Sequence, residues 1–397
     1  MIRVSEATSI IQQHLFKPGN EKMALAKATG RILAEPIIAD RDFPPFHRAS
    51  MDGIAIQHQA FAKGQRHFTV EGLLPAGAPS FPLKNADAAI EIMTGAMLPV
   101  NTDTVVRYED VEITHGSAHI TIDTLSKGEG THPQAQDAAQ NDVLLAPGIK
   151  IAPAEIALMA SVGKADVLVY TFPKTAIIST GNELVAVDAT PLPHQIRRSN
   201  SYALQSALSL LGCEASLFHV PDEKHVLEKE LKEIVAAHEL IILSGGVSKG
   251  KFDFIPEVLT SLGIEKKFHQ VSQRPGKPFW FGTSTSSQHT VFALPGNPVS
   301  TYMCYYRYIQ PWLLQSMHLP AGEQQAILAR DFSFKPPLTY FLQVKTVNES
   351  GKLMAYPDAG GGSGDFANLK NVSGFLELPE ERTEFKEGEA LAYYAFR

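Results

Sequence analysis

The chain has 397 residues, 44% of them hydrophobic and 19% charged, with a formal net charge of −7. That length and apolar content suit several packed cores and two to four domains. The acidic balance, a pI near 6.1 and dispersed lysines argue against a nucleic-acid partner. No uninterrupted apolar run approaches the ~20 residues of a membrane helix, and the amino-terminal stretch lacks a basic region followed by an apolar core. A soluble, cytoplasmic chain with no membrane partner is therefore expected. Cys213 and Cys304 are far apart inside helical patterns and read as reduced core thiols, while the 14 histidines show no metal-ligand spacing.

In chain order, helical spacing predicts a helix over 5–16, halted by Lys17-Pro18-Gly19-Asn20, and a second short helix around 21–34. Phe43-Pro44-Pro45-Phe46 breaks that arm. Residues 54–138 hold short alternating runs, such as 88–92, 104–108 and 119–122, which predict a β domain. A proline-initiated helix at 153–162 leads into a different pattern. There the apolar runs 176–179, 240–243 and 291–294 alternate with helical spacing at 200–211, 223–237, 253–262 and 298–314. Such alternation predicts βαβ units and a parallel sheet, whose strand carboxyl ends share one ligand-binding edge. Beyond 326 the chain reads as β again, with a turn cluster from Gly360 to Gly364.

Three glycine-bearing loops follow the apolar runs: Thr180-Gly181-Asn182-Glu183, the segment 244–253 with Gly245, Gly246, Ser248, Gly250 and Asp253, and Leu294-Pro295-Gly296-Asn297-Pro298. Glycine turns at a sheet edge present backbone N–H groups to anions. Arg274-Pro275-Gly276-Lys277-Pro278 adds two cations beside a tight turn, with prolines restricting the backbone that carries Lys277. Asp222 and Asp253 each stand just ahead of a helix, where they read equally as caps or as carboxylates for a hard cation that bridges phosphates. Asn200 reads as a helix cap or as a crevice residue, and Glu183 as a solvated acid or a polar group facing the crevice. Two further loops, Ala49-Ser50-Met51-Asp52-Gly53 and Met93-Thr94-Gly95-Ala96, combine small polar side chains with glycine.

Six motifs recur in order: Pro44-Pro45-Phe46 with Met51-Asp52-Gly53; Met93-Thr94-Gly95-Ala96; Ser179-Thr180-Gly181 with Glu183-Leu184; Ser244-Gly245-Gly246-Val247-Ser248 with Gly250 and Asp253; Pro275-Gly276-Lys277-Pro278; and Leu294-Pro295-Gly296-Asn297-Pro298-Val299-Ser300. This set resembles that of the molybdopterin molybdenumtransferases, the MoeA and gephyrin E-domain family, over essentially the whole chain. The resemblance implies a multidomain α/β plus β protein: an arm at 1–44 and 139–169, an inserted β-rich domain at 45–138, a central doubly wound α/β molybdopterin-binding domain at 170–319 and a C-terminal β domain at 320–397. It implies insertion of molybdate into adenylated molybdopterin, dependent on magnesium, with release of AMP. Asp222 and Asp253 would then hold magnesium, Lys277 and Arg274 would attract molybdate, and Glu183 would orient substrate or water. Asp52, Thr94 and Ser363 match family positions reached from other domains, across a homodimer interface, and the implied upstream donor is a molybdopterin adenylyltransferase. Substrate contacts would fall on Asn200, Gly245, Gly246, Ser248, Gly250, Gly276, Pro295, Gly296 and Asn297.

The pattern departs from the family's at Arg274, where lysine is usual, at Asn182, where aspartate is common, at His47-Arg48-Ala49-Ser50, and at 339–344, which lacks an arginine often found there. A non-catalytic pterin-binding scaffold and a molybdopterin adenylyltransferase are the competing readings, and tungstate competes with molybdate as the oxyanion.

Overall fold

In the computed structural model, which describes residues 1–247, 254–284 and 289–397, the apolar runs of the α/β region are strands buried on both faces. The sheet comprises Thr175–Thr180 (β1), Ala215–Val220 (β2), Leu240–Ser244 (β3), Ile264–His269 (β4), Trp280–Ser284 (β5) and Thr290–Leu294 (β6); β1, β3 and β6 carry those runs, while β2 and β4 are partly exposed. The sheet order is β2-β1-β3-β6-β5-β4, with β2, β1, β3 and β6 mutually parallel and β5 antiparallel to both its neighbours. Alternate residues of each central strand enter different cores. Ile177, Ile242 and Phe292 face one, against the helices Asn200–Leu210 (α1) and Pro298–Cys304 (α4). Ile178, Leu243 and Val291 face the other, against Lys224–Ala237 (α2) and Ile255–Ser261 (α3). Helices on both faces make this a doubly wound sheet, which accounts for the nearly unbroken apolar runs.

The chain divides into two units, Met1–Ala34 with Gly148–Ala152 and Val167–Arg397, and Glu35–Pro147 with Pro153–Asp166. The first contains the α/β sheet and a C-terminal barrel. The 11-residue strand Thr339–Glu349 pairs with Lys352–Pro357 and with Gly374–Leu378, and the strands Gln324–Leu328 and Ala390–Ala395 complete the ring. The second unit is built on a six-stranded sheet containing Gly53–Ile56, Ala88–Ile92 and Thr104–Arg107, with apolar cores on both faces.

Two expectations need correction. The predicted helix around 21–34 is a strand, Asn20–Ala24, followed by a short 3-10 turn, Leu25–Lys27. Its alanines and lysines favour helix intrinsically, but Gly30 has φ +83° and the following backbone is used in tertiary pairing, Ile32 with Lys150 and Leu33 with Val169. Long-range hydrogen bonds outweigh a weak local preference. The predicted helix 298–314 does run on to Ser316, but through a π-helical turn at Tyr305–Ile309 just ahead of Pro311. Proline lacks the N–H that would continue the α-helical ladder, and the wider turn accommodates the gap.

Candidate active site

The parallel register brings the carboxyl ends of four strands to one edge: Thr180 pairs with Val220, Ser179 with Ser244, and Ser244 with Leu294. The loops that follow touch one another. The Gly245 N–H donates to the Leu294 carbonyl at 3.1 Å. Gly245 and Gly246 have φ of +105° and +66°, and a Cβ on either would sit 3.0 Å from the Thr180 hydroxyl. Both strain and space therefore demand glycine at these positions. The Thr180 hydroxyl is buried without a hydrogen-bond partner among the described residues.

Asn200 ties this edge together. It occupies the first turn of α1, and its side-chain amide donates to Ser244 Oγ at 2.9 Å, to the Gly296 carbonyl at 2.8 Å and to Thr301 Oγ1 at 3.3 Å. The capping expectation for Asn200 is thus replaced by a clasp between two glycine loops and α4. Asp222 follows β2, and its backbone N–H donates to Asn182 Oδ1 at 3.2 Å. The cap of α2 is Glu223, so capping does not explain Asp222 either. Glu183 is exposed, with both carboxylate oxygens 2.6 Å from where a Gly181 Cβ would lie. Ser248, Gly250 and Asp253 lie outside the described residues.

A cavity of about 330 Å³ opens beside these loops, lined by Arg274, Gly276, Lys277, Pro295, Asn297 and Ser363 among others. Gly276 has φ +86° and is hemmed in by Cys304, Gln273 and Met303. The Gln273 amide donates to the Gly276 carbonyl at 3.0 Å, closing the turn that presents both cations. Arg274 and Lys277 are exposed and form no ion pair among the described residues. Asn297 donates its side-chain amide to Ser363 Oγ at 2.8 Å, and the Val299 N–H donates to the Ser363 carbonyl at 3.2 Å. Ser363 thereby lines the cavity within one chain. The turn that carries it is held by Asp365, which accepts from the Gly361 N–H at 2.7 Å.

Ser300, Tyr340 and Gln343 also line the cavity and were not among the expected residues. Ser300 was visible only as the last letter of a motif. Gln343 is 4% exposed, the one amide in the apolar stretch 340–344, and that interruption was the available signal. Its amide donates to the Ala359 carbonyl at 3.2 Å.

Asp52 and Thr94 form a separate constellation within the second unit. The antiparallel register of Gly53 with Ile92 sets the two loops side by side. Asp52 Oδ1 accepts from the Thr94 N–H at 2.6 Å and from its hydroxyl at 2.7 Å. Those two donors, the backbone one foremost, hold the Asp52 carboxyl below the usual carboxylate range. Gly53 is obligatory, because a Cβ there would collide with the Val106 carbonyl. Cys213 and Cys304 are both fully buried, and burial pushes the Cys213 thiol up to about 11. Among the described residues no group of three or more His, Cys, Asp or Glu could hold a metal, and no helix is long and apolar enough to cross a membrane.

Fold and geometry together define a multidomain α/β protein with glycine loops gathered at the carboxyl edge of a parallel sheet, beside a cavity lined by two cations that form no ion pair among the described residues. Residues 2–163 match the MoeA N-terminal region (domain I and II), 176–315 match a probable molybdopterin binding domain, and 325–396 match the MoeA C-terminal region (domain IV). The molybdopterin molybdenumtransferase of Synechocystis sp. is 39% identical over 399 residues, covering 100% of both chains. That of Bacillus subtilis is 31% identical over 398 residues, covering 97% of this chain and 92% of its own. The solved molybdopterin biosynthesis MoeA protein of Pyrococcus horikosii superposes with a TM-score of 0.85 at 32% identity, covering 100% of this chain and 99% of its own. A second MoeA structure, from Pyrococcus horikoshii OT3, has a TM-score of 0.84 at 23% identity over the whole of both chains and bears on the fold alone. The chain belongs to the molybdopterin molybdenumtransferase (MoeA) family.

Proposed function

We propose that this chain acts in molybdenum cofactor biosynthesis as a transferase that inserts molybdate into adenylated molybdopterin and releases AMP. The observation that carries the reading is the cavity beside the glycine loops, with Arg274 and Lys277 at its wall and no carboxylate paired with either among the described residues. Molybdate is a tetrahedral dianion, and two free cations beside polar groups are what its capture requires. The finished cofactor holds its metal through soft dithiolene sulfurs of the pterin, so the protein's task is positioning and charge management.

In this reading Lys277 and Arg274 draw in the oxyanion and offset charge that develops as the phosphoanhydride breaks and AMP leaves. Asn297 and Ser363, bonded to each other, line the same cavity. Gly245, Gly246, Gly276, Pro295 and Gly296 give the close backbone approach, and Asn200 keeps the loops in register. Glu183 orients substrate or water, and Asp52 and Thr94 take the part in this reaction that the family resemblance implies. Magnesium fits the residues described. A hydrated ion held by one or two carboxylates and by substrate phosphates needs no protein cage, and Asp222 stands at the sheet edge with its backbone fixed. Asp222, with Asp253, would hold it, and it would neutralise phosphate charge when bound. The four-part domain division, homodimeric assembly, a molybdopterin adenylyltransferase as upstream donor and action in the cytoplasm belong to the same proposal and rest on the family resemblance.

Lys277→Ala tests it. Loss of one charge-assisted contact should raise the half-saturating molybdate concentration roughly tenfold or more. An unchanged molybdate dependence of AMP release would show that the cavity is not the oxyanion site.

A further inference from the structure

Arg274 is exposed, yet it is not simply a solvated cation. The strand Gln273–Arg274 pairs in parallel with the start of the barrel strand, and Arg274 lies opposite Tyr340. The Tyr340 ring stacks on Phe334, with centroids 4.3 Å apart and planes 12° from parallel, and Phe332 lies 6.0 Å from Tyr340 at 23°. The guanidinium of Arg274 sits 6.0 Å from the Phe334 centroid. Phe334 is pinned by its own backbone, whose N–H donates to the Thr383 carbonyl at 2.9 Å, and the neighbouring pair Phe332 and Phe385 is in register. Along this segment Phe332 and Phe334 are half-buried while Asp331, Ser333 and Lys335 are exposed, so the aromatics form one inward row.

We propose that Phe334 and Tyr340 form a stacked shelf that orients the Arg274 guanidinium over the mouth of the cavity, so that this chain meets its oxyanion with an aligned fork of donors rather than a mobile point charge. The proposal rests on the reading of the cavity as an oxyanion site and adds to it two positioning residues outside the cation-bearing turn. A free arginine loses rotamer freedom when it closes on a ligand, and a guanidinium already stacked on an aromatic face loses less. The Tyr340 hydroxyl is raised by burial, and Arg274 acts against that rise, which agrees with their proximity. The aromatic shelf favours a planar cation specifically. A lysine at 274 would keep the charge and lose the face that stacks.

The test is equilibrium molybdate binding by calorimetry on the full chain, for the unmodified protein, Phe334→Ala, Phe334→Leu, Phe334→Tyr, Arg274→Lys and the Arg274→Lys/Phe334→Ala double variant. Phe334→Ala and Phe334→Leu should each weaken binding roughly two- to fivefold, and Phe334→Tyr should restore it. Phe334→Leu keeps apolar bulk, so a shared loss identifies the ring face rather than folding as the cause. In the Arg274→Lys background the Phe334→Ala effect should largely vanish. Equal effects in both backgrounds, or no effect in the arginine background, overturn the shelf while leaving the oxyanion site standing. Absence of molybdate binding by the unmodified chain removes both. Binding with the predicted pattern but without AMP release sustains the shelf and overturns the transferase reading.

Discussion

Gly276→Ala is the sharpest structural test of how the cation-bearing turn is built. The residue has φ +86°, where an added Cβ meets its own backbone, and that left-handed conformation costs an alanine about 1–2 kcal/mol. The same Cβ would lie 2.8 Å from Cys304 Sγ, 2.9 Å from Gln273 Nε2 and 2.9 Å from Met303 Cε. Met303 is flexible and can yield. Gln273 is 1% exposed and tied to the Gly276 carbonyl, and it cannot move without breaking that bond. Overpacking of this kind costs about 1–3 kcal/mol, for a total of about 2–5 kcal/mol. Both tryptophans of the chain, Trp280 and Trp312, are buried in the unit that holds this turn, so intrinsic fluorescence during urea unfolding reports on it directly. Cys304→Ala should relieve about 1 kcal/mol of the penalty by removing one of the three obstacles, a coupling that contacting residues show and distant ones do not. A Gly276→Ala loss below about 0.5 kcal/mol, or an identical loss in both backgrounds, would refute the packing argument.

Three further outcomes follow from the same geometry. Asn200→Ala removes donors from Ser244 and Gly296 and should destabilise the α/β unit by about 1–2 kcal/mol in the same fluorescence assay; an unchanged midpoint would mean the clasp is inert. Thr94→Val should let the Asp52 carboxyl rise back toward its ordinary range, read by NMR titration. Because the folded value is depressed, ionised Asp52 contributes stability above the ordinary range and loses it as pH falls through the folded value, so the variant should lose that contribution at higher pH than the parent. An unmoved titration would deny the hydroxyl its part. Asp222→Asn should raise the magnesium concentration needed for AMP release, and an unchanged requirement would remove Asp222 from the proposed metal contacts.

The central sheet was legible because β1, β3 and β6 are buried on both faces and carry unbroken apolar runs. Their shared carboxyl edge followed from the handedness of βαβ crossovers, and the loops at 181, 245 and 296 fell where glycine patterning suggested. Residues 21–34 were illegible because their local composition favours a helix, while Ile32 and Leu33 spend their backbone bonds on residues more than a hundred positions away. Asn200 could not be distinguished from a cap without knowing that Ser244 and Gly296 lie within reach of its amide. The contact of Ser363 with Asn297 was hidden for the same reason, since no local pattern encodes a contact across 66 residues. The aromatic shelf combines Arg274 with Phe334 and Tyr340 through a parallel strand pair that sequence spacing does not announce.

The most direct measurement is AMP release from adenylated molybdopterin by the purified protein with magnesium, with and without micromolar molybdate, and with tungstate as a third arm. Molybdate-dependent AMP release with formation of active cofactor is the result predicted here. Tight binding of adenylated molybdopterin with no AMP at any molybdate or tungstate concentration would contradict the transferase account and leave a pterin-binding scaffold.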